Sequence, residues 1–483
     1  MSSRSSPSAV HAGRRSAPLP RKCAAAPGPR GLRGLSGRVS LAILALVASA
    51  CGGPEVVTDP PVILITLDTL RADHLGCYGY ERATSPALDA FASRATRYTR
   101  AKATAPWTLP SHASLFTGQY PVEHGAHTYW IDPEDASLVD NVRPLSPAAV
   151  TLAERFGTAG YQTAAFAANI VFLKKQYGLD QGFGTYDVQA GYAPKVNARA
   201  LEWLDARDTE RPFFLFLNYM DTHSPYNTAP RAGWAGAAED SGPLITRMRD
   251  AILPGDRKPP AKPLERLRNQ YDLGIRNLDD GLAGLFTALH ERSLFDPALI
   301  IIASDHGEYF GEHRLIAHSK DVYEPVIAIP LIVKAPGQTI GETEERLVSL
   351  AHVPVLIQPH CPVLEDAEFS ANWPAPTVLS ENHFTRLKDL KMPWAKRFLR
   401  SRVAMYEGDT KLIHSSDGAH ELYELSADPP EHRDRAAALP AELAELVSRL
   451  EASLERLRQE APEMDLRELS EEEIEALRAL GYF

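Results

Sequence analysis

Three short, unbroken apolar runs constrain this chain more than any other feature: PVILITL (Pro61–Leu67), PFFLFLNY (Pro212–Tyr219) and ALIIIAS (Ala298–Ser304). Runs of this kind suit parallel strands that are covered on both faces. Between them, segments such as Ser146–Ala159 and Leu264–Arg292 have helical spacing. The alternation predicts an α/β fold, a mostly parallel central sheet sandwiched by helices. The stretch Gly233–Lys262, rich in Ala, Gly, Pro and charge, reads as an irregular insertion. After about Gly337 the pattern changes. RSRVAMYEG (Arg400–Gly408) and TKLIHSS (Thr410–Ser416) read as strands, followed by a turn at Asp417–Gly418 and then ELYELSADPPE. These predict a smaller C-terminal antiparallel sheet and helix subdomain. Residues Leu439–Leu480 read as one or two amphipathic helices that pack on the body.

The N-terminus has a different character. Eight of the 51 Lys and Arg residues fall in the first 50 positions, which hold no Asp or Glu. An apolar run, Val39–Ala50, ends in ASAC at Ala48–Cys51. A basic segment, about a dozen apolar residues and a small-residue cleavage site describe a secretory signal. The run is shorter than the roughly 20 residues of a membrane span. Cys51 after small residues resembles a bacterial lipoprotein box, although Ala48 stands where Leu is usual. The expectation is an exported, periplasmic or cell-envelope protein with a lipid anchor at Cys51; ordinary cleavage nearby would leave it soluble. The predicted organisation is a leader over 1–51, a linker over 52–60, a main catalytic domain over 61–337, the rest of that fold with the C-terminal subdomain over 338–438, and a helical tail over 439–483.

Without the leader, 43 basic residues face 62 acidic ones, a net charge of −19. That balance argues against a nucleic-acid partner. It leaves an anionic substrate open, because a bound cation reverses the local field. Cys77 and Cys361 show no zinc spacing and are read as two separate thiols, with pairing left open.

The polar residues at the strand ends carry the chemistry. The first run leads into Asp68, the second into Asp221 and His223, and the third into Asp305 and His306. In open parallel sheets ligands bind outside the carboxyl ends of the strands. Carboxylates and imidazoles delivered to one rim predict a metal site. In APWTLPSHASLFTG (Ala105–Gly118), Pro110 fits the first turn of a helix and places Thr108 at or just before its N-terminus. Unpaired N–H groups and the helix dipole favour an anion there. A hydroxyl held against a divalent ion can ionise and attack phosphorus or sulfur. Taken alone, the same segment is also that of a plain threonine N-cap.

LDTLRADHLGCYGY (Leu67–Tyr80), Thr108–Gly118, SDHGE (Ser304–Glu308) and ELYEL (Glu421–Leu425) occur in this order. Together they resemble the sulfatase family of the alkaline phosphatase superfamily, over roughly residues 60–430. The resemblance implies Asp68, Asp305 and His306 as metal ligands and Thr108 as the catalytic nucleophile, itself close enough to ligate the metal. It implies that His223 contacts the transferring group or the leaving oxygen, and that His318 lies near the ester. Arg71 is expected to fold the metal-side loop; Glu312 and His313 are either supports behind the ligands or solvated.

The departures from the family pattern are informative. Sulfatases carry Cys or Ser in C/S-x-P-x-R and oxidise it to formylglycine. Here Thr108 takes that place and His112 replaces the Arg. Oxidising a threonine carbinol gives a ketone, which argues against the aldehyde-hydrate mechanism. Thr69 replaces the second Asp of the usual Asp-Asp pair, and Asp305–His306 the usual Asp-Asn pair. The Lys and His that sulfatases place after the GYxTA segment are missing from TAAFAAN (Thr163–Asn169). The centre resembles threonine-dependent phospho-group transferases and phosphonate monoester hydrolases. The expected activity is metal-dependent hydrolysis of sulfate, phosphate or phosphonate esters, with one divalent ion (Ca, Mn or Zn). The substrate is a small-molecule, glycan or lipid ester. Two alternatives stand beside it: a transferase acting on envelope lipids or glycans, and a binding module without turnover.

Overall fold

Every residue of the first run's strand, β1 (Val62–Leu67), is buried. The computed structural model describes residues 60–129, 141–234, 241–365, 367–369 and 376–460. The leader with Cys51, almost all of the linker, most of the loop 129–142 and the last part of the tail lie outside the described residues. β1 belongs to an eight-stranded sheet completed by β2 (Thr96–Tyr98), β3 (Gln162–Ala167), β4 (Thr185–Val188), β5 (Phe213–Tyr219), β6 (Leu299–Ala303), β7 (Leu331–Lys334) and β8 (Glu342–Glu344), in the order β8-β2-β7-β6-β1-β5-β3-β4. β6, β1, β5, β3 and β4 are mutually parallel, whereas β7 is antiparallel to both its neighbours. The expected mostly parallel sheet is therefore present. All three apolar runs lie side by side at its centre, with Leu64 opposite Phe216 and Ile301.

Alternation along β5 shows why the run is apolar throughout. Successive strand residues point to opposite faces. Phe214 and Phe216 meet Phe156 and Phe116 on one face, with ring centroids 4.8 and 4.9 Å apart. Phe213 meets Trp203 on the other at 5.9 Å. The long predicted helix forms over Ala261–Glu291, while only Leu152–Thr158 of Ser146–Ala159 is helical. The stretch Gly233–Lys262 is not wholly irregular. It contains a helix, Gly242–Ile252, whose Leu244, Ile245, Met248 and Ile252 are buried. Spacing of three and four among these apolar residues drives that helix, a signal masked by the surrounding Gly and Pro. Cys77 and Cys361 are not joined to each other by a disulfide.

The C-terminal antiparallel sheet is also present. It is a four-stranded meander of β9 (Thr377–Asn382), β10 (Arg402–Glu407), β11 (Thr410–Ser415) and β12 (Glu421–Glu424). The helix Pro440–Glu460 buries Leu446, Leu450 and Leu454, one turn apart, in a cluster with Leu412 and Leu422. Between the two sheets lies a buried ionic network. Lys411 donates to Glu431 at 2.6 Å and to Glu324 at 3.1 Å, Tyr406 donates to Glu324 at 2.8 Å, and Lys102 also pairs with Glu324.

Candidate active site

The parallel order puts the ends of β1 and β6 next to each other, so Asp68 and Asp305–His306 share one rim. The chain turns immediately after Asp68. Thr69 has φ of +60°, a left-handed conformation costly for a branched residue. It is held there from both sides: its N–H donates to Asp305 Oδ1 at 3.2 Å, and its carbonyl accepts from Tyr271 at 2.7 Å.

Asp68, Asp305 and His306 are each completely buried. Asp68 Oδ2 accepts from Asn169 Nδ2 at 2.8 Å, which leaves Oδ1 without a partner. Asp305 Oδ1 accepts from the N–H groups of Thr69 and His306, which leaves Oδ2 bare. His306 Nδ1 lies 2.9 Å from the Gly307 carbonyl and donates to it, so Nε2 presents a lone pair and has no partner either. Ligand atoms of these three residues lie within 4.8 Å of one another. Buried polar atoms normally have partners. Three bare acceptors converging on one point fit a cation, and the fixed His306 tautomer is the one a metal ligand requires. Burial, with the neighbouring Asp305 charge, pushes Asp68 up to about 6, and burial pushes Asp305 up to about 7. Burial holds His306 below its ordinary value and so neutral.

Thr108 is the first residue of a buried helix, Thr108–Thr117, entered from the extended residue Trp107. The structure thus places it at the helix N-terminus, as the Pro110 argument predicts. Its hydroxyl accepts from Asn169 Nδ2 at 3.3 Å, the same amide that holds Asp68. His112, one turn on, is buried behind it. Its Nδ1 donates to the Thr108 carbonyl at 2.9 Å, and its Nε2 lies 3.0 Å from the Thr66 hydroxyl. Burial drives His112 down to about 4, so it braces this turn as a neutral ring.

Thr108 opens into a pocket of about 280 Å³, together with His223 and His318. The His318 ring centroid is 4.6 Å from that of His306 and 5.1 Å from that of His223. His318 stands between two left-handed residues, Ala317 (φ 61°) and Ser319 (φ 64°). Its Nδ1 pairs with Glu308 at 3.0 Å, and Glu308 also accepts from Tyr226 at 2.9 Å. Burial, then the charges of His306 and His223, hold His318 well below the ordinary histidine value.

The structure thus gathers Asp68, Thr108, His223, Asp305, His306 and His318 around one place. Asp221 does not join them. Both of its oxygens accept from the Ala193 N–H at 3.1 Å, so it caps the helix Ala193–Ala206. Arg71 folds the metal-side loop, as expected, through Asp73, Glu312 and the Glu308 carbonyl. Glu312 is engaged with Arg71 and His313 stacks on Tyr323, so neither supports a ligand directly. Two contributors escaped the sequence reading. Asn169 ends an apolar strand in a polar residue, the same signal that marks Asp68. Glu308 closes the SDHGE motif.

Residues 60–356 match the family model for sulfatases. The chain belongs to the sulfatase family. A relative, an N-acetylgalactosamine-6-O-sulfatase from Bacteroides thetaiotaomicron, is 23% identical; the alignment covers 81% of this chain and 93% of the relative. Human arylsulfatase A is 24% identical, over 64% of this chain and 66% of its own. Among solved structures, the phosphonate monoester hydrolase of Agrobacterium radiobacter superposes with a TM-score of 0.62 at 21% identity, covering 83% of this chain and 96% of that protein. A structure holding its substrate D-glucosamine-2-N,6-O-disulfate superposes with the same TM-score at 18% identity, covering 84% and 99%. These likenesses agree with the expected fold and with an ester hydrolase of this family.

Proposed function

We propose that this sulfatase-family member is an exported, metal-dependent hydrolase of sulfate, phosphate or phosphonate esters, with Thr108 as nucleophile. The observation that carries the reading is the convergence of three bare, buried ligand atoms beside a threonine at a helix N-terminus. Relatives named for sulfated sugars and a structural neighbour named for phosphonate monoesters support the ester class. Asp68, Asp305 and His306 would hold one divalent cation, which supplies a positive field that lowers the Thr108 pKa and draws charge from the substrate's nonbridging oxygen.

The remaining steps belong to the chain's own side chains. Asn169 orients the Thr108 oxygen. Thr108 gives its hydroxyl proton to solvent as that oxygen attacks phosphorus or sulfur in line, and the bond to the ester oxygen breaks. His223 delivers a proton to the departing oxygen, and His318, its ring fixed by Glu308, lies beside it. Water then attacks the threonine ester and frees Thr108. A phosphothreonine is chemically well suited to this cycle. A sulfothreonine lacks the hemiacetal route of formylglycine enzymes and would need direct displacement.

The test is a panel of aryl sulfate, phosphate, phosphodiester and phosphonate esters, each with calcium, manganese or zinc, with and without an acceptor alcohol. Thr108→Ala is expected to lose about 10⁴-fold or more in kcat while still binding metal. If Thr108→Ala cleaves as fast as wild type, the nucleophile is misassigned. Transfer to the alcohol in place of water would make the chain a transferase.

A further inference from the structure

Two polar residues interrupt the apolar strands at one level of the main sheet. Thr66 of β1 lies directly opposite Asn218 of β5, and both are fully buried. Asn218 follows Phe216 by two residues, so it shares the face on which Phe216 meets Phe116 and His112, with ring centroids 4.9 and 5.8 Å apart. That face is covered by the helix Thr108–Thr117. Buried polar groups need partners, and these two close a ring of hydrogen bonds on Thr108. Asn218 Nδ2 donates to Thr66 Oγ1 at 3.1 Å, and that oxygen lies 3.0 Å from His112 Nε2. His112 Nδ1 donates to the Thr108 carbonyl at 2.9 Å. On the other side, Asn218 Oδ1 accepts from the Asn169 N–H at 3.0 Å, and the Asn169 amide donates to the Thr108 hydroxyl. Thr108 is therefore held at its carbonyl and at its side chain by two arms that meet at Asn218.

We infer that His112 is a positioning residue for the nucleophile: through Thr66 and Asn218 it locks the main chain of Thr108, so that the hydroxyl keeps the placement set by Asn169. The inference rests on the reading of Thr108 as the nucleophile. Each hydrogen in the ring has one place to go. A carbonyl only accepts, so His112 Nδ1 carries a hydrogen. An amide nitrogen only donates, so the Thr66 hydrogen is left for His112 Nε2. No member can reverse without leaving a buried group unpaired, which costs more than the bond itself returns. His112 is not held by the metal-site cluster instead, because Asp305 Oδ2 is 3.7 Å from its Nδ1, beyond a hydrogen bond. Nor does it meet substrate. It is fully buried and is not among the residues lining the pocket into which Thr108 opens, so it acts through Thr108.

The experiment uses two amides that each copy half of the imidazole. Asparagine places its nitrogen where Nδ1 stands and keeps the donor to the Thr108 carbonyl. Glutamine places its own where Nε2 stands and keeps only the Thr66 contact. On the manganese-loaded protein, with the aryl ester that wild type cleaves fastest, His112→Gln should lose about 10²-fold in kcat, the effect of a nucleophile misplaced by about 1 Å, with KM little changed. His112→Asn should recover most of that loss. Thr66→Val should lose roughly 10-fold, the size of one hydrogen bond, and Thr66→Ser should regain it. Equal losses in His112→Asn and His112→Gln, or none in either, would overturn the inference. So would a fall in manganese affinity by calorimetry that matches the fall in kcat, because His112 would then be supporting the metal ligands. A second readout needs no turnover: nitrogen–proton NMR of histidine-labelled protein, with His112 identified by the signal missing in His112→Gln. The hydrogen should sit on Nδ1; a hydrogen on Nε2 facing a bare Nδ1 would overturn the ring. Wild-type turnover in Thr108→Ala would overturn the nucleophile reading and leave the NMR result standing. An inactive Thr108→Ala beside fully active His112 variants would overturn this inference alone.

Discussion

Two buried charge clusters in this molecule are built on opposite principles. In the network between the sheets, every charge has its opposite. Burial alone would raise Glu324, yet Lys102 and Lys411 hold it well below the usual carboxylate range, while Glu431, which Lys411 also lowers, is still left raised to about 7 by burial. Burial alone would lower Lys411, yet Glu431 and Glu324 hold it up. At the rim of the main sheet, Asp68 and Asp305 have no basic side chain beside them other than histidines among the described residues, and both are pushed up. The first cluster is complete within the protein. The second is complete only when something positive enters. Both are deeply buried, so burial does not separate a structural cluster from a ligand site; charge balance does.

The largest expected effect breaks the balanced cluster. Lys411→Met leaves Glu431 buried without its cation and should cost about 3–5 kcal/mol, seen as a lower Tm with or without metal. Asp305→Asn should behave in the opposite way. Asparagine keeps an oxygen for the Thr69 and His306 N–H groups and removes a crowded charge. The metal-free protein should then melt at or above the wild-type temperature, and the rise in Tm on adding manganese should disappear. If Asp305→Asn weakens the metal-free protein as much as Lys411→Met does, the distinction between the clusters fails.

A smaller effect concerns the link between nucleophile and ligand. Asn169 donates one amide to both Thr108 and Asp68. Its oxygen is fixed by the N–H groups of Val171 and Phe172, each at 3.0 Å. Asn169→Ala should lower kcat by about 10²-fold, the range seen when one preorganised donor is removed, with KM moving little. A change confined to KM would make Asn169 a substrate contact and leave Thr108 oriented by other groups.

Asn169 also shows where sequence reading runs out. The centre of the sheet was legible because β1, β5 and β6 are buried on both faces and are apolar at almost every position. Asp68 and Asp305 were legible because strand ends in a parallel sheet share one rim. Asn169 was overlooked because the family resemblance directs attention to a lysine and histidine that this chain lacks, whereas the polar end of TAAFAAN carried the information. Asp221 shows the converse: a strand-end carboxylate that caps a helix looks the same in sequence as one that awaits a metal. β9 was missed because Ser380 and Glu381 face a junction, where Ser380 donates to the Ala103 carbonyl and the Glu381 N–H donates to that of Thr104.

The smallest effect tests charge balance at a third place. Glu381 and His383 form a part-buried pair with 2.9 Å between Oε2 and Nε2, and the His383 ring stacks on His127 at 3.5 Å. Burial raises Glu381 to about 8 and lowers His383 to about 3. Between about pH 4.5 and 6.5 the folded pair holds one proton on Glu381, and the unfolded chain holds one on His383, so stability there is insensitive to pH. Above 6.5 the unfolded chain has lost its proton while Glu381 keeps its own. The raised carboxyl therefore contributes stability that is lost as pH rises towards 8, at about 1.4 kcal/mol per pH unit. Below 4.5 the depressed histidine gives the opposite slope. Glu381→Gln should flatten the alkaline side of a Tm-against-pH curve between 6.5 and 8 and leave the acid side falling. If wild type and Glu381→Gln run parallel across that interval, the carboxyl is ionised in the folded protein, and this pair belongs with the balanced ionic network.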